Sequence, residues 1–256
     1  MSKTTPATDS NSKPVALVTG ASRRIGRVIC EHLHAEGFNI VVHYNSSQEM
    51  AKQLADKFNT IRPSSALTLQ ADLNDSGAVV ELAAHAQAAW GRMDVLINNA
   101  SKFYPTPVGT VDEQHWDDLF ASNCKAPFFL AQALAEDLKK SKGAIINLLD
   151  IHVERPMPNH TIYCMAKTAN RMMTQSLALE LAPLVRVNGV APGAAMWPED
   201  NEGIEKINPE KIQTIPLKKL GGASAIAETV CFLVKNSNYI TGQTINVDGG
   251  KTLIQI

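Results

Sequence analysis

Residues 144–167 read AIINLLDIHVERPMPNHTIYCMAK, and the organisation of the chain follows from them. The stretch opens on an apolar run, 144–149, with the length and composition of a buried strand. Asp150 stands where that strand should end, and a loop carrying Pro156 and Pro158 follows. Tyr163 and Lys167 then open a segment that continues as a good helix former, AKTANRMMTQSLALELA. A spacing of i, i+4 puts phenol and ammonium on one helix face. A phenol, with an ordinary pKa of about 10, is a poor proton donor at neutral pH, and a nearby cation lowers it toward the working range. Tyr163 with Lys167 is therefore a candidate proton-transfer pair, and Asp150 a possible third member. A Tyr-x-x-x-Lys spacing is also common on ordinary helices, and an acid at a strand end is as well explained as a helix cap or a partner for Arg155. Context has to decide.

The same strand–loop–helix unit recurs outward in both directions. Strands are expected at 13–19 (KPVALVT), 39–43 (NIVVH), 66–70, 94–98 (DVLIN), 144–149, 184–190 (LVRVNGV) and 243–247. Helices are expected after Gly26, from Ser47, over 76–90, over a long region 111–140, through the Tyr163 segment and over 225–234. Strands that are apolar throughout and alternate with helices predict a parallel sheet covered on both faces. The reading is one doubly wound α/β domain of about seven parallel strands over 13–256, behind a polar tail at 1–12. In such a sheet ligands sit at the carboxyl ends of the strands, near the topological switch. The stretch 194–219 is longer than a usual connection and is expected to form a substrate lid, in which Met196 and Trp197 either close over a ligand or pin the loop as apolar anchors.

Composition narrows the function. The chain has 256 residues, 45% of them hydrophobic, and a formal net charge of −1, which gives no reason to expect nucleic acid or an anionic membrane as partner. No apolar run reaches the roughly 20 residues of a membrane span. Cys30, Cys124, Cys164 and Cys231 are scattered, which argues against a zinc site or disulfide framework and for a reducing cytoplasm. Cys164, one residue from Tyr163, points about 100° away from it and reads as packing.

Gly20, Ser22, Arg23, Arg24, Ile25 and Gly26 join the first strand to the first helix in a turn suited to a dinucleotide phosphate. The second strand ends in His43-Tyr44-Asn45-Ser46-Ser47, with no acid for ribose hydroxyls. Hydroxyls at Ser46 and Ser47, with Arg23 nearby, suit a 2′-phosphate and favour NADP(H).

The ordered motifs TGxxxxxG, Asn98-Asn99-Ala100, Asn123, Tyr163-x-x-x-Lys167 and Pro192-Gly193 together resemble the short-chain dehydrogenase/reductase family over nearly the whole chain. The resemblance implies that Tyr163 is the acid–base residue, that Lys167 lowers its pKa and holds the nicotinamide ribose, and that Asn123 supports a relay water. It places Asn99 and Ala100 on the adenine-ribose side and Asp72 and Leu73 at the adenine. Three departures, Arg24 for a glycine, Ser101 for a glycine and Asp150 for a serine, together with Phe103, resemble the pteridine and dihydromonapterin reductase branch. That implies a pterin or folate ring stacked between Phe103 and the nicotinamide, with Arg24, Ser101, Asp150, Tyr163 and Trp197 around it. A homotetramer is also implied. The alternative is a general carbonyl reductase acting on a 3-oxoacyl thioester. His152 and His160 flank the site loop as weaker candidates, Glu154 and Arg155 read as a solvated pair, and Asp248-Gly249-Gly250 as a last-strand turn near a subunit contact.

Overall fold

The computed structural model describes residues 13–194 and 209–254. The expected tail at 1–12 and residues 195–208 of the expected lid, Met196 and Trp197 among them, lie outside these. The elements run β1 (Val15–Val18), α1 (Arg24–Ala35), β2 (Asn39–Tyr44), α2 (Gln48–Ile61), β3 (Ala66–Gln70), α3 (Ser76–Trp90) and β4 (Val95–Asn98). They continue with α4 (Glu113–Phe120), a π-helical turn (Ala121–Lys125), α5 (Ala126–Ser141), β5 (Ala144–Leu148) and α6 (Thr161–Leu181). β6 (Arg186–Pro192), α7 (Pro209–Gln213), α8 (Gly222–Lys235) and β7 (Thr244–Val247) complete the order.

The strands form one seven-stranded sheet in the order β3-β2-β1-β4-β5-β6-β7, each neighbouring pair parallel. Alternation within β1 shows how both faces are buried. Ala16 and Val18 pack with Ile29 and Leu33 of α1, Phe58 of α2 and Val230 of α8. Val15 and Leu17 point the other way, into Leu82 of α3, Leu130 of α5 and Leu177 of α6. The sheet reverses its order of growth between β1 and β4, which opens a crevice at their carboxyl ends.

The long helix expected over 111–140 is instead two α-helices joined by the π turn. Pro127 supplies the reason. It has no N–H to give the Asn123 carbonyl, so that carbonyl accepts 2.8 Å from the Asn170 side chain of α6. Of the expected lid, the end beyond α7 is packed down: Ile215 is buried, Leu217 N–H donates to Gly249 O at 3.2 Å, and a side chain at Gly249 would collide with Ile215.

Candidate active site

The larger end of the crevice, about 720 Å³, is lined by Gly20, Ser22–Gly26, residues 43–47, Asp72, Leu73, Asn99, Ala100, Ser101 and Phe103. Its walls are mostly turns at three strand ends, locked to one another. Asn99 Nδ2 donates to Thr19 O at 2.8 Å and Gly20 O at 3.1 Å, while Thr19 Oγ1 accepts from the Asn99 and Ala100 N–H groups. A Cβ at Gly26 would lie 2.4 Å from Gly20 O, so no larger residue fits there. His43, which no sequence argument singled out, supports this turn from beneath. Its Nδ1 accepts from Gly20 N–H at 3.1 Å and its Nε2 faces Ala71 O at 3.2 Å, which fixes the neutral tautomer. Burial pulls its pKa down to about 4. Arg24 has a left-handed backbone of the kind glycine favours, with φ of 52°. A left-handed non-glycine residue stores roughly 1–2 kcal/mol of strain, here at a residue that lines both parts of the crevice.

The smaller end, about 290 Å³, is lined by Arg24, Ser101, Phe103, Leu148–Asp150, Tyr163, Lys167, Pro192 and Gly193. Strand β5 delivers Asp150 and α6 delivers Tyr163 and Lys167. Asp150 fills both roles the sequence left open. One oxygen caps the short turn after β5, accepting from His152 N–H at 2.9 Å, and the other accepts the Tyr163 hydroxyl at 2.7 Å. It makes no ion pair with Arg155, which donates to Ile254 O instead, and Glu154 pairs with Arg171 at 3.5 Å. The Glu154–Arg155 pair expected from the sequence is thus replaced by longer-range partners.

At the phenol a neighbouring carboxylate opposes the effect expected of Lys167. Burial, the Asp150 charge and its hydrogen bond hold Tyr163 well above the ordinary phenol range. Lys167 is itself desolvated; burial brings its pKa down to about 8, against an upward pull from Asp150. Its ammonium donates to Leu148 O at 2.8 Å and lies 5.8 Å from the Tyr163 ring centre. In this state Tyr163 is a protonated donor to a carboxylate.

Phe103 is about half exposed on the crevice rim, with its ring edge-on to Tyr163 at 4.9 Å. His160 stacks on it at 4.7 Å and 11° between planes, and accordingly belongs to the site more firmly than its flanking position suggested. Asn123 lines neither part of the crevice. It is buried behind it, accepting from Ser101 Oγ at 2.7 Å and donating to Lys102 O at 2.9 Å. Gly193 lies at the rim because Asp248 packs against it; a Cβ there would meet Asp248 Cβ at 2.6 Å.

Comparison with known proteins fits this geometry. A family model described as enoyl-(acyl carrier protein) reductase matches residues 20–252. The chain belongs to the short-chain dehydrogenase/reductase family. It is 38% identical to pteridine reductase 1 of Leishmania tarentolae over 96% of this chain and 99% of that protein. It is 35% identical to the 3-oxoacyl-[acyl-carrier-protein] reductase of Staphylococcus epidermidis, covering 92% and 97% of the two chains. A short-chain type dehydrogenase/reductase of Picea abies is 34% identical over 93% and 92%. As a short-chain dehydrogenase/reductase the protein is an oxidoreductase. Among the described residues no helix is long and apolar enough to cross a membrane.

Proposed function

We propose that this short-chain dehydrogenase/reductase uses NADPH to reduce dihydropterins, such as dihydrobiopterin, dihydromonapterin or dihydrofolate, to their tetrahydro forms. The observation that carries the reading is the 2.7 Å bond from Tyr163 to Asp150 beside the Phe103 ring. A carbonyl substrate needs a hydroxyl to polarise its oxygen. A C=N bond needs a proton on nitrogen, and a carboxyl group can carry one there.

The donor set at the larger end fits a phosphorylated dinucleotide: the start of α1 for the pyrophosphate, Asp72 for adenine, and the hydroxyls of Ser46 and Ser47 with Arg23 rather than an acid at the end of β2. NADPH, when bound, supplies the hydride that the C=N carbon accepts. The chain supplies the proton. Tyr163, held protonated, passes its proton through Asp150 to the ring nitrogen, and the buried Lys167 charge offsets the phenolate left behind. Phe103 offers a stacking face for the flat heterocycle, while Arg24 and Ser101 offer polar contacts at its edge. Exposed apolar residues on α4 to α6, among them Trp116, Phe128 and Met172, support a homotetramer, and four free cysteines suit a reducing cytoplasm.

The likeness to the 3-oxoacyl reductase favours one alternative, reduction of a 3-oxoacyl thioester. Following NADPH absorbance with the three dihydropterins and an acetoacetyl thioester separates the two. Turnover of a dihydropterin and not of the thioester is expected; the reverse, or none at all from folded protein, overturns the proposal.

A further inference from the structure

We propose that Asp118 of α4 is the positioning residue that aims the Phe103 ring into the crevice, so that pterin affinity depends on a carboxylate outside the contact surface. The inference rests on the pterin reading above. Phe103 sits in a segment, 101–106, with neither helix nor strand to hold it. Its two sequence neighbours are both tied to one side chain. The Lys102 ammonium donates to Asp118 Oδ1, and the Tyr104 hydroxyl donates to Asp118 Oδ2 at 3.0 Å. Anchoring 102 and 104 on α4 therefore fixes the chain on both sides of Phe103 and with it the placement of the ring, which lines both parts of the crevice while Lys102 borders the larger one.

The anchor is itself held. Asn74, beside the Asp72 turn, donates to Asp118 Oδ1 at 2.9 Å, and Asn123 fixes the Lys102 carbonyl from the π turn that follows α4. Burial pushes the Asp118 carboxyl up, but hydrogen bonds from Lys102, Tyr104 and Asn74 with the Lys102 charge more than reverse this and hold it below the usual carboxylate range. The anchor stays charged wherever the enzyme works. Asp118 accepts three donors from two loops, more than a surface ion pair explains.

A double-mutant cycle tests this. Asp118→Ala is expected to raise KM for dihydrobiopterin about tenfold, the worth of a well-placed aromatic contact, with KM for NADPH moving less than twofold. Asp118→Asn, which keeps one oxygen acceptor, loses less. Added to Phe103→Ala, Asp118→Ala should cost nothing more, because its effect passes through the ring. Full additivity, or equal rises in both KM values, overturns the assignment. A second readout needs no turnover: chymotrypsin should cut the Phe103–Tyr104 bond at least about fivefold faster in folded Asp118→Ala, since local opening sets cleavage. An unchanged cleavage rate sinks the role of Asp118, whereas wild-type protein that reduces no dihydropterin sinks the pterin reading instead.

Discussion

The two ends of the crevice are made of different material. The dinucleotide end is main chain: turns after β1, β2 and β4 cross-tied through Thr19, Asn99 and His43. The substrate end is side chain: Asp150 from the end of β5, Tyr163 and Lys167 from α6, and Phe103 from a loop, with His160 stacked on it from another loop far away in sequence. A backbone site is fixed once the strands pair. A side-chain site needs each rotamer held by another residue, and so concentrates its function in single atoms.

The largest expected effect follows from that concentration. Tyr163→Phe removes the oxygen that donates to Asp150 and leaves the ring packing in place. A positioned acid contributes roughly 10²–10⁴ in rate, so dihydropterin turnover should fall by about that factor, while NADPH affinity measured by fluorescence titration holds. Asp150→Ala should follow it in turnover. Retained turnover in either variant would mean that the substrate end does not work through this pair, and the contrast between the two ends would fail there.

The dinucleotide end should respond to pH through stability. His43 in the folded chain has a pKa near 4 because burial disfavours its charged form, against about 6.5 for an ordinary histidine. The unfolded chain therefore takes up a proton that the folded chain refuses. Stability is fully present above pH 6.5 and is lost as pH falls toward 4, on the order of 3 kcal/mol at about 1.4 kcal/mol per pH unit. His34, stacked on Phe58 and likewise brought down to about 4 by burial, adds to the same window. Urea midpoints at pH 7 and pH 5 check this: the drop should shrink in His43→Gln. An unchanged drop would assign the pH dependence elsewhere.

How much of this was legible in the sequence also divides along the two ends. The alternation of apolar strands with helices carried the sheet and its parallel sense, because a strand buried on both faces has to be apolar throughout. Gly20 and Gly26 announced the first turn for steric reasons that hold in any context. The side-chain end was legible only as a set of candidates. Nothing local says that Asp150 caps one turn with one oxygen and takes a phenol with the other, and the burial that acts with Asp150 to hold the Tyr163 proton is a three-dimensional quantity. The break between α4 and α5 did have a signal, Pro127 four residues after Asn123, which a helix-period reading passes over. His160 had only its place beside the site loop as a signal, since its stack on Phe103 spans more than fifty positions.

Phe103→Ala should come next in size. Loss of a stacking ring, worth about 0.5–1.5 kcal/mol beyond its area, raises dihydropterin KM up to about tenfold and leaves NADPH KM nearly unchanged. Equal rises in both would make Phe103 part of the dinucleotide wall and blur the division between the ends.

His160→Ala should give the smallest shift and the sharpest reading of how a side-chain site is held. The imidazole is held by an Nδ1 contact of 2.8 Å to Pro158 O and covers one face of Phe103, and the pterin reading puts the ligand against the other. A flat substrate there would complete a stack of three rings. Removing the outermost costs only part of one aromatic contact at a partly exposed site, so KM for dihydropterin should rise about two- to threefold. His160→Phe restores the ring without the Pro158 contact. Recovery of KM would mean that ring area is what backs Phe103. Failure to recover, with Phe103 intact, would mean that the hydrogen bond to the loop sets the angle of the stack and that even the outer ring works by position rather than by surface.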